Sequence, residues 1–215
     1  MNIIEPSVEV ITETDPLKRI ELCGRVCYKS EDKITDKSAV CFVQRMIRSG
    51  HTSVLEHARI RILTNAQHDE YRQIMDNADI PKCRRVSVYW KPDSPFPDYI
   101  TVNARDYINS VRGATPDDIA DHQLDTDYYT VRFICDRAIA NELVRHRVFS
   151  FSQESTRYVS YREGVTFIRP VPFPSTGDKP AWRKVIRSRN VSSIKNVFPT
   201  RFLPYTAMNS ARFPR

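Results

Sequence analysis

The chain has 215 residues, with 33 Lys plus Arg against 26 Asp plus Glu, 40% hydrophobic and 27% charged. That is enough apolar material for a packed core, in one domain or two small ones, and it excludes a disordered or fibrous chain. No apolar run approaches the roughly 18 residues of a membrane helix, and Met1 to Pro6 show neither the basic nor the apolar region of a secretory signal, so no membrane contact is expected and the expected compartment is the cytoplasm.

In chain order, residues 8–12 alternate weakly and predict a short strand. Asp15-Pro16 supplies an N-cap followed by proline at the first helical position, and Leu17, Ile20, Gly24 and Cys27 continue at helical spacing. Thr35 or Asp36 is the expected cap of a second helix. Its stripe Ala39, Phe42, Val43, Met46 and Ile47 is core, and Gly50 suits its C′ position. Residues 58–64 alternate as a strand. Residues 85–90 and 99–102 are expected to pair as a long hairpin, with Pro92, Pro95 and Pro97 in the connecting loop, and a short helix is expected over 104–111. Residues 128–134 read as a strand. Asp136 then caps a helix running to about Arg147, with Cys135, Ile139 and Leu143 on a packing face and Ala138, Asn141, Glu142 and Arg145 on a polar one. The segment after Pro174 shows no clean period.

The net charge of +7 invites a nucleic-acid reading, but its distribution argues against one. Residues 175–215 hold nine basic residues and one acid, Asp178, so this segment carries +8 and the rest of the chain −1. The basic segment has no recognised nucleic-acid motif. Tyr89 and Trp90 are read as hairpin packing rather than as platforms for bases. The five cysteines are an odd number and form no Cys-x-x-Cys pair, so buried thiols are expected rather than disulfides, and no metal site is expected.

The densest chemistry lies in Arg145-His146-Arg147-Val148-Phe149-Ser150-Phe151-Ser152-Gln153-Glu154-Ser155-Thr156-Arg157-Tyr158. Three guanidinium groups in so short a span repel one another unless anions or carboxylates neutralise them, and Arg is the residue of bidentate phosphate recognition. Two readings stand: an anion site, or an ion-paired, solvated surface in which the cations favour a helix C-terminus. If residues 153–157 are extended, Gln153, Ser155 and Arg157 share a side. Ser155 lacks a His or Asp at a spacing that would activate it, so it reads as a ligand rather than a nucleophile. His51 and His57, six apart, do not have the spacing of a metal pair on a helix face.

Arg-His-Arg, seven residues, Ser, then x-Arg-Tyr resembles the signature of the flavin-dependent thymidylate synthases, here Arg145-His146-Arg147, Ser155 and Arg157-Tyr158. Glu142-Leu143-Val144 is similar to its lead-in. Upstream, Gly50-His51-x-Ser53-x-x-Glu56-His57 is similar to a second family block. The resemblance implies an α/β protein of the α+β type, with a mostly antiparallel central sheet flanked by helices. It implies reductive methylation of dUMP to dTMP, with methylenetetrahydrofolate as carbon donor and FAD, reduced by NADPH, as hydride source, in a homotetramer. By position, Ser53, Glu56, Arg145, His146, Arg147 and Gln153 match FAD contacts. Glu142, Arg145, Gln153, Ser155, Arg157 and Arg201 match positions that hold dUMP.

The resemblance implies a domain over 1–174 carrying an insert at 66–127, and an atypical basic tail over 175–215. Asn103-Ala104-Arg105 is similar to an Asn-x-Arg element that the family carries near its C-terminus; in this place it receives no role. Arg201-Phe202-Leu203-Pro204 is a compressed form of a family Leu-Pro element. The expected final strand, helix and catalytic arginine do not follow it, so the alternative expectation is a truncated, catalytically impaired relative that binds only FAD or nucleotide.

Overall fold

The computed structural model describes residues 2–65, 67–77, 86–92, 94–146, 149–155, 157 and 166–169, with residues 2 and 194–200 as backbone only. Strand β1 (Asn2–Ile4) is followed by β2 (Ser7–Ile11) and helix α1 (Pro16–Tyr28). Asp15 caps α1 as expected: its carboxylate accepts from the N–H groups of Leu17 at 2.8 Å and Lys18 at 3.1 Å. Helix α2 (Ser38–Arg48) packs on α1, burying Ala39, Phe42, Val43 and Met46. Neither Thr35 nor Asp36 caps it. The Ser38 hydroxyl instead accepts from the Thr35 N–H at 2.9 Å and lies 2.8 Å from the Glu21 carboxylate of α1, so the tertiary partner draws the capping hydroxyl inside the helix. The helices approach closely at Gly24, where a Cβ would lie 2.7 Å from the Phe42 ring. Gly50 ends α2 at φ +74°, the left-handed region glycine tolerates.

These helices cover the apolar face of an antiparallel sheet of order β4-β5-β3-β6, formed by β3 (Arg59–Leu63), β4 (Val86–Tyr89), β5 (Tyr99–Asn103) and β6 (Gln123–Leu124). The predicted hairpin is the β4–β5 pair, in register Tyr89↔Tyr99. Period-two alternation sends Ile60, Ile62, Ile100 and Val102 into the core, joined by Tyr107 and Ile119. Helices α3 (His68–Asp76), α4 (Ala104–Ser110) and α5 (Pro116–Ala120) complete this layer. The other face carries Arg59 over the Tyr128 ring at 4.2 Å and Arg61 over the Tyr99 ring at 4.4 Å. Tyr89 stacks on Tyr99 with centroids 4.4 Å apart, which is hairpin packing. Trp90, just beyond the end of β4, is 59% exposed and does not share in it.

A second antiparallel sheet has order β2-β7-β10-β8, with β7 (Tyr129–Cys135), β8 (Ser152–Gln153) and β10 (Ile194–Thr200). Among the described residues the expected central sheet is thus replaced by two four-stranded sheets, both antiparallel. A separate parallel pair joins β1 to β9 (Thr166–Ile168). Strand β10 lies in the segment where the sequence showed no period, and it pairs with both β7 and β8. After β7, Asp136 caps α6 (Arg137–Leu143) through the N–H groups of Ala138 and Ile139.

Helix α6 stops four residues short of the expected Arg147. The N–H of Arg145 bonds Glu142 O at 3.2 Å and that of His146 bonds Leu143 O at 3.0 Å, the i→i−3 tightening that closes a helix. Ile139, expected on the packing face, is 44% exposed, while Ala140 is buried against Cys135, Phe133 and Leu143. Cys135 belongs to β7, so a helical period counted from it starts one element too early. Cys23 and Cys135 are buried as expected, but Cys41 is exposed, on the solvent side of α2. Among the described residues no helix is long and apolar enough to cross a membrane.

Candidate functional site

The first block folds as a 3-10 turn over Thr52–His57. Residues i and i+3 eclipse in such a turn. Val54 and His57 therefore share the buried side, and Ser53, exposed, shares the other with half-buried Glu56. The period of the turn itself presents the two expected flavin contacts together.

The second block reaches this turn through two hydroxyls. Ser150 Oγ donates to Glu56 Oε2 at 2.5 Å, and Ser152 Oγ lies 2.8 Å from His57 Nε2. His57 is 2% exposed, and burial, with a smaller contribution from Arg19, lowers its pKa to about 3. The imidazole is therefore neutral at physiological pH, and its Nδ1 is buried with no hydrogen-bond partner among the described residues. Glu56 Oε1 accepts from Arg105 Nη1 at 2.6 Å.

Alternation holds over 152–155. Ser152 and Glu154 are buried, whereas Gln153 and Ser155 are half-exposed on the opposite side. The Ser155 N–H donates to Cys27 O at 3.0 Å, which ties this strip to the end of α1. Burial raises the Cys27 thiol pKa, with the Ser152 hydrogen bond acting the other way. Arg157 lies in a turn rather than an extended run; it is exposed, and its N–H donates to Ser155 Oγ at 3.1 Å.

Glu142, Arg145 and His146 line one open groove of ≈ 670 Å³ beside α6. Arg145 Nη1 contacts both Glu142 oxygens, at 2.9 and 3.0 Å, in an exposed ion pair. The His146 ring neighbours Phe149 at 6.4 Å, and Phe149 meets Phe151 edge-on at 6.3 Å. The described site residues thus fall into three groups, Ser53 with Glu56, the groove residues, and the strip of Gln153, Ser155 and Arg157, with Ser150 and Ser152 joining the last segment to the 3-10 turn. Arg147 and Arg201 lie outside the described residues.

His51 is exposed, with Nδ1 3.0 Å from Tyr28 OH. Among the described residues no group of three or more His, Cys, Asp or Glu side chains could hold a metal. Ser150 and Ser152 escaped the sequence reading, which counted them as spacer. Their signal was alternation, small hydroxyls at every second position between Phe149, Phe151 and Gln153. Nothing in the sequence pairs Arg105 with Glu56, 49 residues away.

The family model described as "Thymidylate synthase complementing protein" matches residues 9–77 and 121–190. The chain belongs to this family. Membership carries thymidylate synthesis as its broad function and thymidylate synthase as its enzyme class. Ser53 and Glu56 lie in the first segment that matches the thymidylate synthase complementing proteins, and Glu142 to Arg157 lie in the second. Arg105 falls between the two, in residues 78–120, and Arg201 beyond them. No curated protein and no solved structure matches the chain.

Proposed function

We propose that this chain converts dUMP to dTMP by reductive methylation, with methylenetetrahydrofolate as carbon donor and FAD, reduced by NADPH, as hydride source. The observation that carries the reading is the junction of the two family blocks at Glu56–Ser150 and His57–Ser152. Residues 95 apart in sequence meet there, so the segment that follows the Arg145–His146 cluster packs against the turn that carries Ser53 and Glu56. The donor set suits FAD: an exposed guanidinium at Arg145 and an imidazole at His146 beside a groove, and a hydroxyl at Ser53, offer charge and hydrogen bonds to a diphosphate. Bound FAD would supply the hydride chemistry, and the protein binds and orients.

In this reading Ser53, Glu56, Arg145, His146, Arg147 and Gln153 hold FAD, and Glu142, Arg145, Gln153, Ser155, Arg157 and Arg201 hold dUMP. The nucleotide phosphate competes with Glu142 for Arg145; an exposed ion pair is weak enough to yield to it. Ser155 acts as a hydrogen-bonding ligand. The polypeptide adopts the flavin-dependent thymidylate synthase fold as a homotetramer in the cytoplasm, with residues 1–174 as the working domain and 175–215 as a basic tail.

The test is the visible spectrum of the purified protein with added FAD, followed by tritium release from position 5 of labelled dUMP in the presence of folate and NADPH. Flavin binding with release is expected. Binding without release would select the impaired relative, and a protein that does neither would defeat the reading.

A further inference from the structure

Arg105 comes from the stretch between the two matched segments, yet its guanidinium ends on Glu56. Its placement follows from local backbone geometry. The Ala104 N–H donates to Ala58 O at 2.8 Å, fastening the first turn of α4 to the end of the 3-10 turn that carries Glu56. Asn103 caps α4 by accepting from the Asp106 N–H at 2.9 Å, and its Nδ2 donates to the Asp106 carboxylate at 2.7 Å. Ala104 is completely buried, so the turn cannot pivot about that residue without opening the core.

Glu56 is then gripped from two sides, by Arg105 on Oε1 at 2.6 Å and by Ser150 on Oε2 at 2.5 Å. Two charge-assisted bonds at different oxygens fix the carboxylate plane. Both side chains retain solvent access, at 35% for Arg105 and 23% for Glu56, so the pair borders the surface and can meet a ligand. A carboxylate oxygen that accepts one bond keeps a second lone pair free for another donor.

We propose that Arg105 is a positioning residue for the ligand site: it acts through Glu56, and the segment between the two family blocks is therefore part of the site rather than an appendage to it. The proposal rests on the reading that Glu56 faces FAD. The experiment is a titration of FAD, followed by flavin absorbance and fluorescence, into the full-length wild type and into Arg105→Ala, Arg105→Lys, Glu56→Gln and the double variant Arg105→Ala/Glu56→Gln, each checked for fold by circular dichroism.

Arg105→Ala is expected to weaken FAD binding about tenfold, as loss of a hydrogen bond to a charged group implies. Arg105→Lys is expected to recover part of the loss, because Lys keeps the charge but not the fork. In the Glu56→Gln background, Arg105→Ala is expected to add less than about twofold, since a residue that works through Glu56 has nothing left to orient. Wild-type affinity in a folded Arg105→Ala, or fully additive losses in the double variant, would overturn the proposal while leaving the flavin reading intact. No FAD binding by the wild type would overturn the flavin reading and this proposal with it.

Discussion

His57 Nε2 and Ser152 Oγ stand 2.8 Å apart, 95 residues removed in sequence and both almost fully buried. The pair ties the 3-10 turn of the first block to β8 in the second sheet. It also fixes the register of the strip that follows, so Gln153 and Ser155 face away from the core.

The environment of His57 makes stability depend on pH. Its pKa is about 3 in the folded protein against 6.5 for an ordinary histidine. Below pH 6.5 the unfolded chain takes up a proton that the folded one refuses, so the stability contribution is complete above 6.5 and is lost progressively as pH falls towards 3. The slope reaches about 1.4 kcal/mol per pH unit. His122, also lowered by burial, shifts stability in the same direction. Urea denaturation at pH 7 and pH 5 should therefore show a smaller loss for His57→Gln than for the wild type. Equal losses would contradict a neutral, buried His57.

Arg145 should separate stability from binding. Its exposed i, i+3 pair with Glu142 contributes about 0.2–0.5 kcal/mol, so Arg145→Ala should leave the denaturation midpoint nearly unchanged. The same variant should lose FAD binding by about tenfold or more, because the guanidinium is the strongest anion donor described in the groove. A folded variant with undiminished flavin binding would remove Arg145 from the site.

At Gly24 the usual sign of a helix substitution should reverse. Alanine in place of glycine inside a helix normally stabilises by about 1 kcal/mol. Here the new Cβ would sit 2.7 Å from the buried Phe42 ring, and overpacking costs about 1–3 kcal/mol. Gly24→Ala should lower the thermal midpoint, and Gly24→Ala/Phe42→Leu should regain part of it. A single variant more stable than the wild type would mean that α1 and α2 separate easily.

Asp125 is the buried counter-charge of the polar face of the first sheet. It is 1% exposed, accepts from neither guanidinium at close range, and lies 3.9 Å from both Arg59 and Arg61. Asp125→Asn keeps the shape and removes a buried charge that faces both arginines, and should cost about 3 kcal/mol in urea denaturation. A loss below about 1 kcal/mol would show that the rings of Tyr99 and Tyr128 and the hydroxyls of Thr101 and Ser87 suffice for these cations.

Most local elements were legible because their causes are local. The Asp15-Pro16 start of α1, the apolar stripe of α2, the Gly50 stop and the β4–β5 hairpin each follow from a cap, a period or a turn residue within a few positions. Misreadings occurred where a distant partner intervened. Glu21 of α1 draws the Ser38 hydroxyl at the start of α2, and α6 presents Ala140 instead of Ile139 because the preceding strand extends through Cys135.

The candidate site divides in the same way. Spacing marked the cationic cluster at 145–157, since guanidinium groups gathered in one short stretch imply anions or carboxylates wherever the chain runs, whereas the block at 50–57 with Ser53 and Glu56 was marked by the family resemblance. Only the tertiary structure decided that Glu56 is shared by Ser150 and Arg105, that His57 is neutral and bound to Ser152, and that β10 lies between β7 and β8. The reason is physical: charge and period are properties of neighbouring residues, whereas hydrogen-bond partnership, desolvation and strand order depend on which distant segments share the space.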